Sequence, residues 1–131
     1  NEKARTRGRA ESVMNPGGDA GTLVYGRDIL IKGHDFEWNG IRQMLEFHWQ
    51  DESGRKCIVN IHVGEWVQGD YAIISPDDVI EADSSHVIFK WPVGVPQSVT
   101  GSRISIHYVN YDAPHTGEVI GSSAYADVIA Q

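Results

Sequence analysis

The sequence predicts an all-β protein, an antiparallel β-sandwich, and three observations carry that prediction. From Thr22 onward, short stretches alternate apolar and polar residues with a period of two. Gly is abundant at 14 of 131 residues and, with Pro, Asn and Asp, punctuates those stretches at the intervals of a sandwich or barrel. Helix-favouring runs of Ala, Leu, Glu and Lys are scarce. The length is that of one domain with its own core. Apolar residues at 40% and charged residues at 22% exclude disorder of the whole chain.

Residues 1–21 contain few apolar side chains and run into Asn15-Pro16-Gly17-Gly18-Asp19-Ala20-Gly21, which favours neither helix nor strand; they read as a flexible basic arm and hinge. Residues 22–131 read as the sandwich domain, with strands at Thr22–Tyr25, Asp28–Lys32, Met44–Gln50, Cys57–Val63, Val87–Trp91, Arg103–Tyr111 and Ser122–Ile129. Leu45, Phe47 and Trp49 share one face of their strand, and Glu46, His48 and Gln50 the other. A three-residue loop, Glu52-Ser53-Gly54, with Gly in the left-handed conformation, sets Trp49 opposite Cys57, Phe47 opposite Val59 and Leu45 opposite Ile61. Ser75-Pro76-Asp77-Asp78 has the pattern of one capped helical turn between sheets. Further on, Val87, Phe89 and Trp91 point inward, Ile104, Ile106 and Tyr108 form another inner row, and Ala124, Ala126 and Val128 close the sheet.

The net charge of −7 is segregated. Residues 1–9 set Lys3, Arg5, Arg7 and Arg9 against Glu2, a net +3, whereas residues 22–131 hold seven cations against fifteen carboxylates, a net −8. An acidic body repels phosphate backbones, so nucleic acid is expected only at the arm, if anywhere. No apolar run exceeds four residues, Tyr71 to Ile74, so no membrane-spanning helix is expected. The chain begins at Asn1 rather than Met, which leaves the compartment open, with an extracellular, cell-surface or virion setting favoured. The single cysteine, Cys57, excludes an intrachain disulfide and reads as a structural thiol.

No pattern points to catalysis, a metal or a cofactor. Of six histidines, His48, His62 and His107 fall within strands, but the hairpin register sets His48 opposite Ile58 and His62 opposite Met44, too far apart to share an ion. No Gly-x-Ser-x-Gly elbow occurs, and Asp51/Glu52, Asp77/Asp78 and Glu81/Asp83 are all explained by turn chemistry. A small hydrolase would need His48 or His107 within reach of a carboxylate and a nucleophile in one pocket. The segment Asn110 to Glu118 concentrates candidate ligand-binding groups: oxygens from Asn110, Asp112, Thr116 and Glu118, and flat rings from Tyr111 and His115. Trp38 and Trp66 are candidate contact aromatics elsewhere.

Three stretches, Val87-Ile88-Phe89-Lys90-Trp91-Pro92, Gly101-Ser102-Arg103-Ile104-Ser105-Ile106-His107-Tyr108-Val109, and Gly117-Glu118 with Ser122-Ser123 leading to Asp127-Val128-Ile129, resemble the closing strands of bacterial Ig-like modules of surface and adhesin-type proteins. The resemblance covers residues 86–130 and implies an Ig-like sandwich acting as a non-catalytic spacer or binding domain. Phe89-Lys90-Trp91, Ile106-His107-Tyr108 and Asp112-Ala113-Pro114-His115-Thr116 are similar in order to small calcium-dependent galactose-binding bacterial lectins of jelly-roll type. That likeness implies calcium at Asp112 and Thr116 and a sugar ligand, although Val119 and Ile120 stand where paired Asn residues are expected.

The expected function is therefore a non-enzymatic structural or adhesive module of a surface or virion-type assembly. Its arm cations Lys3, Arg5, Arg7 and Arg9 would contact a neighbouring subunit, in a homo-oligomer or with another protein. A calcium-dependent carbohydrate-binding domain is the alternative.

Overall fold

A computed structural model describes residues 8–38, 43–63, 66–68, 71–73, 78–112 and 118–131. Among the described residues eleven strands follow in chain order: β1 (Arg9–Met14), β2 (Thr22–Val24), β3 (Ile29–His34), β4 (Gln43–Gln50), β5 (Lys56–Ile61), β6 (Trp66–Gln68), β7 (Tyr71–Ile73), β8 (Val79–Ala82), β9 (His86–Phe89), β10 (Arg103–Asp112) and β11 (Glu118–Ile129). A 3-10 turn at Gln97–Val99 precedes β10. One sheet has the order β1-β3-β9-β8 and the second β2-β11-β10-β4-β5, while β6 and β7 form a two-stranded pair. The four- and five-stranded sheets pack face to face as a β-sandwich around one apolar core.

Inward-facing rows of the two sheets meet in that core. Val13, Ile29, Ile31, Val87 and Phe89 come from the first sheet; Leu23, Leu45, Phe47, Ile104, Ile106, Ala124, Ala126 and Val128 come from the second. Fully burying a side chain such as Phe47 or Ile106 stabilises by about 1.5–3 kcal/mol, and both are 0% exposed. The β4–β5 hairpin has the expected register, Trp49 with Cys57, Phe47 with Val59 and Leu45 with Ile61. Gly54 occupies the left-handed region at φ 85°, and Asp51 closes the loop by accepting from Ser53 N, Ser53 Oγ and Arg55 N. Cys57 is only half-buried, less enclosed than its place in the inner row suggests. Trp91 is likewise half-buried, packing its ring on Tyr25 and Phe47.

Residues 8–21 differ from the flexible arm and hinge expected for residues 1–21. Arg9–Met14 is a strand of the first sheet, with Ala10, Val13 and Met14 buried. Its alternation is hidden in the sequence because a β-bulge shifts the register between Ala10 and Ser12, which lets Ala10 and Val13, three residues apart, both join the core. The Asn15–Gly21 run is a fastened turn: Asn15 Oδ1 accepts from Val24 N at 2.8 Å and its Nδ2 donates to Asp28 O at 2.7 Å. This turn carries the chain into the other sheet, where β2 pairs with β11 in parallel, a departure from the wholly antiparallel sandwich expected. Of the arm cations, Arg9 is exposed at the start of β1, and Lys3, Arg5 and Arg7 lie outside the described residues. Of the helical turn expected at Ser75–Asp78, residues 75–77 also lie outside them.

Candidate functional site

The outer face of the five-stranded sheet gathers the polar side chains that the inner face excludes. Strand pairing aligns them in cross-strand rows. One row runs Ile58, His48, Ser105, Tyr125 and the next Asn60, Glu46, His107, Ser123, each residue on a successive strand from β5 to β11. Period-two alternation dictates this composition: the residues between them, Phe47, Ile106 and Ala124 among others, are the core rows.

The two imidazoles at the centre stack, with ring centroids 3.9 Å apart and planes inclined by 34°. His48 Nε2 lies 2.8 Å from Glu46 Oε1. His107 is held at both ring nitrogens, Ser105 Oγ at 2.8 Å from Nε2 and Ser123 Oγ at 2.7 Å from Nδ1. A neutral imidazole has one donor and one acceptor nitrogen, so one serine donates to the ring while the other accepts from it. Burial holds the His107 imidazole below its ordinary range, and the neighbouring His48 and Lys56 reinforce that against the opposing pull of Glu46. Beside the stack opens a shallow groove of about 590 Å³ lined by His48, Lys56, Arg103, Ser105, His107 and Tyr125 with their neighbours. Arg103 bonds Asp127 Oδ1 through Nε at 3.2 Å.

A second concavity, of about 260 Å³, lies between β5 and the turn after β9, with Val59, Ile61, His62, Phe89 and Val93 on its walls. Burial lowers the His62 pKa. On the first sheet, His86 contacts Glu81 through Nε2 and Asp83 at 2.9 Å through Nδ1. The Glu81 bond leads in raising its pKa.

Of the residues predicted for ligand binding, the structure gives strand positions for four in the Asn110 to Glu118 segment. Asn110, Tyr111 and Asp112 continue β10, and Glu118 opens β11, where Asp112 pairs with Glu118. The connection between the strands is accordingly shorter than the loop expected from Asn110 to Glu118, and His115 and Thr116 lie outside the described residues. Trp66 belongs to β6. Trp38 is not a free contact surface: it is half-buried against Phe36 and Tyr108, with centroids at 5.1 and 5.4 Å, and its Nε1 donates to Asp83 O at 3.0 Å. The physical reason is the aromatic cluster that Phe36 and Trp38 form with Tyr108, whose hydroxyl accepts from Glu37 N and donates to Glu37 O.

Among the described residues no group of three His, Cys, Asp or Glu is arranged to hold a metal ion, and no helix is long and apolar enough to cross a membrane. Sequence reasoning set His48 and His107 on strands but did not join them, because β4 and β10 pair across a long sequence separation that no turn specifies. No protein-family profile matches the chain, and no curated protein is significantly similar to it.

Proposed function

We propose that the protein is a non-catalytic, Ig-like β-sandwich module that works by contact with protein neighbours in a surface- or virion-type assembly. The outer face of its five-stranded sheet is the principal contact surface. Support for the Ig-like reading comes from the strand order, four strands β1-β3-β9-β8 over β2-β11-β10-β4-β5, which follows the sandwich arrangement of that class. The observation that carries the function is the row Ile58, His48, Ser105, Tyr125: its end members are 50% and 57% exposed large side chains, set on a rigid sheet around an imidazole and a hydroxyl. An aromatic anchor beside adaptable polar groups is the composition of a contact patch.

The polar cluster supports binding over hydrolysis. A serine nucleophile needs one imidazole between hydroxyl and carboxylate, whereas here the Glu46 carboxylate bonds His48 and the serines bond His107. Lys3, Arg5, Arg7 and Arg9 supply a second, electrostatic contact to an acidic neighbour.

Sedimentation equilibrium tests this reading. The chain is expected to self-associate as its concentration rises, with association weakened by Tyr125→Glu and, separately, by removal of residues 1–7. A chain that stays monomeric up to about 1 mM, where even a contact worth only about 4 kcal/mol would register, overturns homo-assembly. Turnover of an activated ester that is lost in His107→Ala overturns the non-catalytic reading.

A further inference from the structure

We propose that the groove beside the His48–His107 stack binds an acidic segment of a protein partner, carboxylates seated between Lys56 and Arg103 and over the hydroxyls that bracket His107, with tighter binding at mildly acidic pH. The proposal rests on the outer sheet face being a contact surface and names the chemistry of what it contacts.

Charge is the first argument. The domain from Thr22 is net −8, and six of its cations are among the described residues: Arg27, Lys32, Arg55, Lys56, Lys90 and Arg103. Two of the six line this one groove, together with two imidazoles, and no lining residue among those described is a carboxylate. Arg103 engages Asp127 through Nε alone, so the terminal amino groups of its guanidinium remain for a second carboxylate, in the planar geometry that carboxylates prefer.

The second argument is the Ser105–His107–Ser123 array. With the ring neutral, one hydroxyl hydrogen is consumed in donating to it. When the ring takes a second proton, both nitrogens donate, both serines accept, and both hydroxyl hydrogens turn outward as donors. Protonation thus converts a balanced array into one of donors only, facing an incoming anion. The charged groups around His107 are Glu46 and His48 on β4, Lys56 on β5, Arg103 on β10, and Asp127 with the Tyr125 phenol on β11. Without ligand, burial, His48 and Lys56 outweigh Glu46 and keep the ring neutral. A bound carboxylate adds a negative charge and tips that balance, so proton and ligand bind together.

The exposed Tyr125 and Ile58 select the class of partner. They offer apolar contact to side chains interleaved with carboxylates, which neither a free anion nor a phosphate backbone supplies.

Fluorescence anisotropy with a labelled peptide of alternating Glu and Tyr, its Gln-and-Tyr counterpart and a labelled oligogalacturonate tests the proposal. The Glu peptide is expected to bind, and about threefold tighter near pH 6 than near pH 8, a part of the roughly tenfold limit that one unit of imidazole pKa shift reaches only below both pKa values. Lys56→Glu with Arg103→Glu should abolish binding at both pH values, and His107→Gln, whose amide still reaches the serines, should flatten the pH profile while the fold persists by circular dichroism. Equal binding of the Gln peptide, preference for the oligogalacturonate, or an unchanged profile in His107→Gln overturns the proposal. If no peptide binds while self-association persists and is still lost in Tyr125→Glu, the acidic-segment inference fails and the assembly reading stands; loss of both sinks both.

Discussion

His107 and His86 sit on opposite sheets and respond to pH with opposite sign. The fold keeps His107 neutral, below the ordinary imidazole value of 6.5, so its contribution is complete above that value and is lost as pH falls through the folded pKa. His86, bonded to Glu81 and close to Asp83, is raised above 6.5, so its contribution is complete below 6.5 and is lost as pH rises through its folded pKa. Relative to the parent chain, His86→Gln is expected to lower the melting midpoint near pH 5.5 and leave it unchanged near pH 9, outside the window of an ordinary imidazole. His107→Gln should instead flatten the acid-side decline. Two glycines set steric limits of different kinds. A Cβ on Gly33 would stand 2.0 Å from Arg9 O and 2.4 Å from Phe36 Cζ, so Gly33→Ala is expected to cost about 3 kcal/mol in urea unfolding through overpacking. A Cβ on Gly54 meets nothing, and Gly54→Ala is expected to cost only the about 1–2 kcal/mol of a left-handed backbone.

Among the elements, β1 offers the sharpest test, because a strand buried in the sheet and a loose arm predict different things. Val13 is 0% exposed, so Val13→Ala is expected to destabilise by about 2 kcal/mol, against no effect for an arm outside the fold. Removing residues 1–14 should unfold the domain, since it uncovers β3 and takes away the Ala10 amide that donates to Ser122 Oγ. The contrast between elements explains what the sequence revealed. The β4–β5 hairpin was legible down to its residue pairs because alternation runs unbroken into a short glycine loop. β1 and β8 were not, and both carry bulges, between Ala10 and Ser12 and between Val79 and Glu81, which break the period that reveals a strand. β6 and β7 are three residues each, too short to show a period. The site was half legible: the outward parity of Glu46, His48, Ser105 and His107 follows from alternation, but their meeting depends on the β4–β10 pairing, which only the closed fold supplies.

At the scale of the whole molecule, one core joins both sheets and includes Trp49, with Trp38 and Trp91 packed against it. Unfolding in urea is therefore expected to be a single transition, with tryptophan fluorescence and far-ultraviolet circular dichroism superimposing. Distinct midpoints for the two probes would show that the sheets melt separately. Folding should be slow for the chain's size, because β1 meets β3, and β4 meets β10, only after long loops close.

The parallel β2–β11 pair also governs how the molecule carries tension. Traction toward the N-terminus draws Thr22 one way along the strand axis, and traction toward the C-terminus draws Ile129 the other, across the three residue pairs Thr22–Asp127, Leu23–Val128 and Val24–Ile129. Parallel strands hauled in opposite directions bear the load in shear, all bonds at once, where an antiparallel hairpin pulled at its open end would peel one bond at a time. A module strung between two tethers would hold through that short seam, and stretching single molecules with Leu23→Pro, which deletes a backbone donor within it, should lower the rupture force.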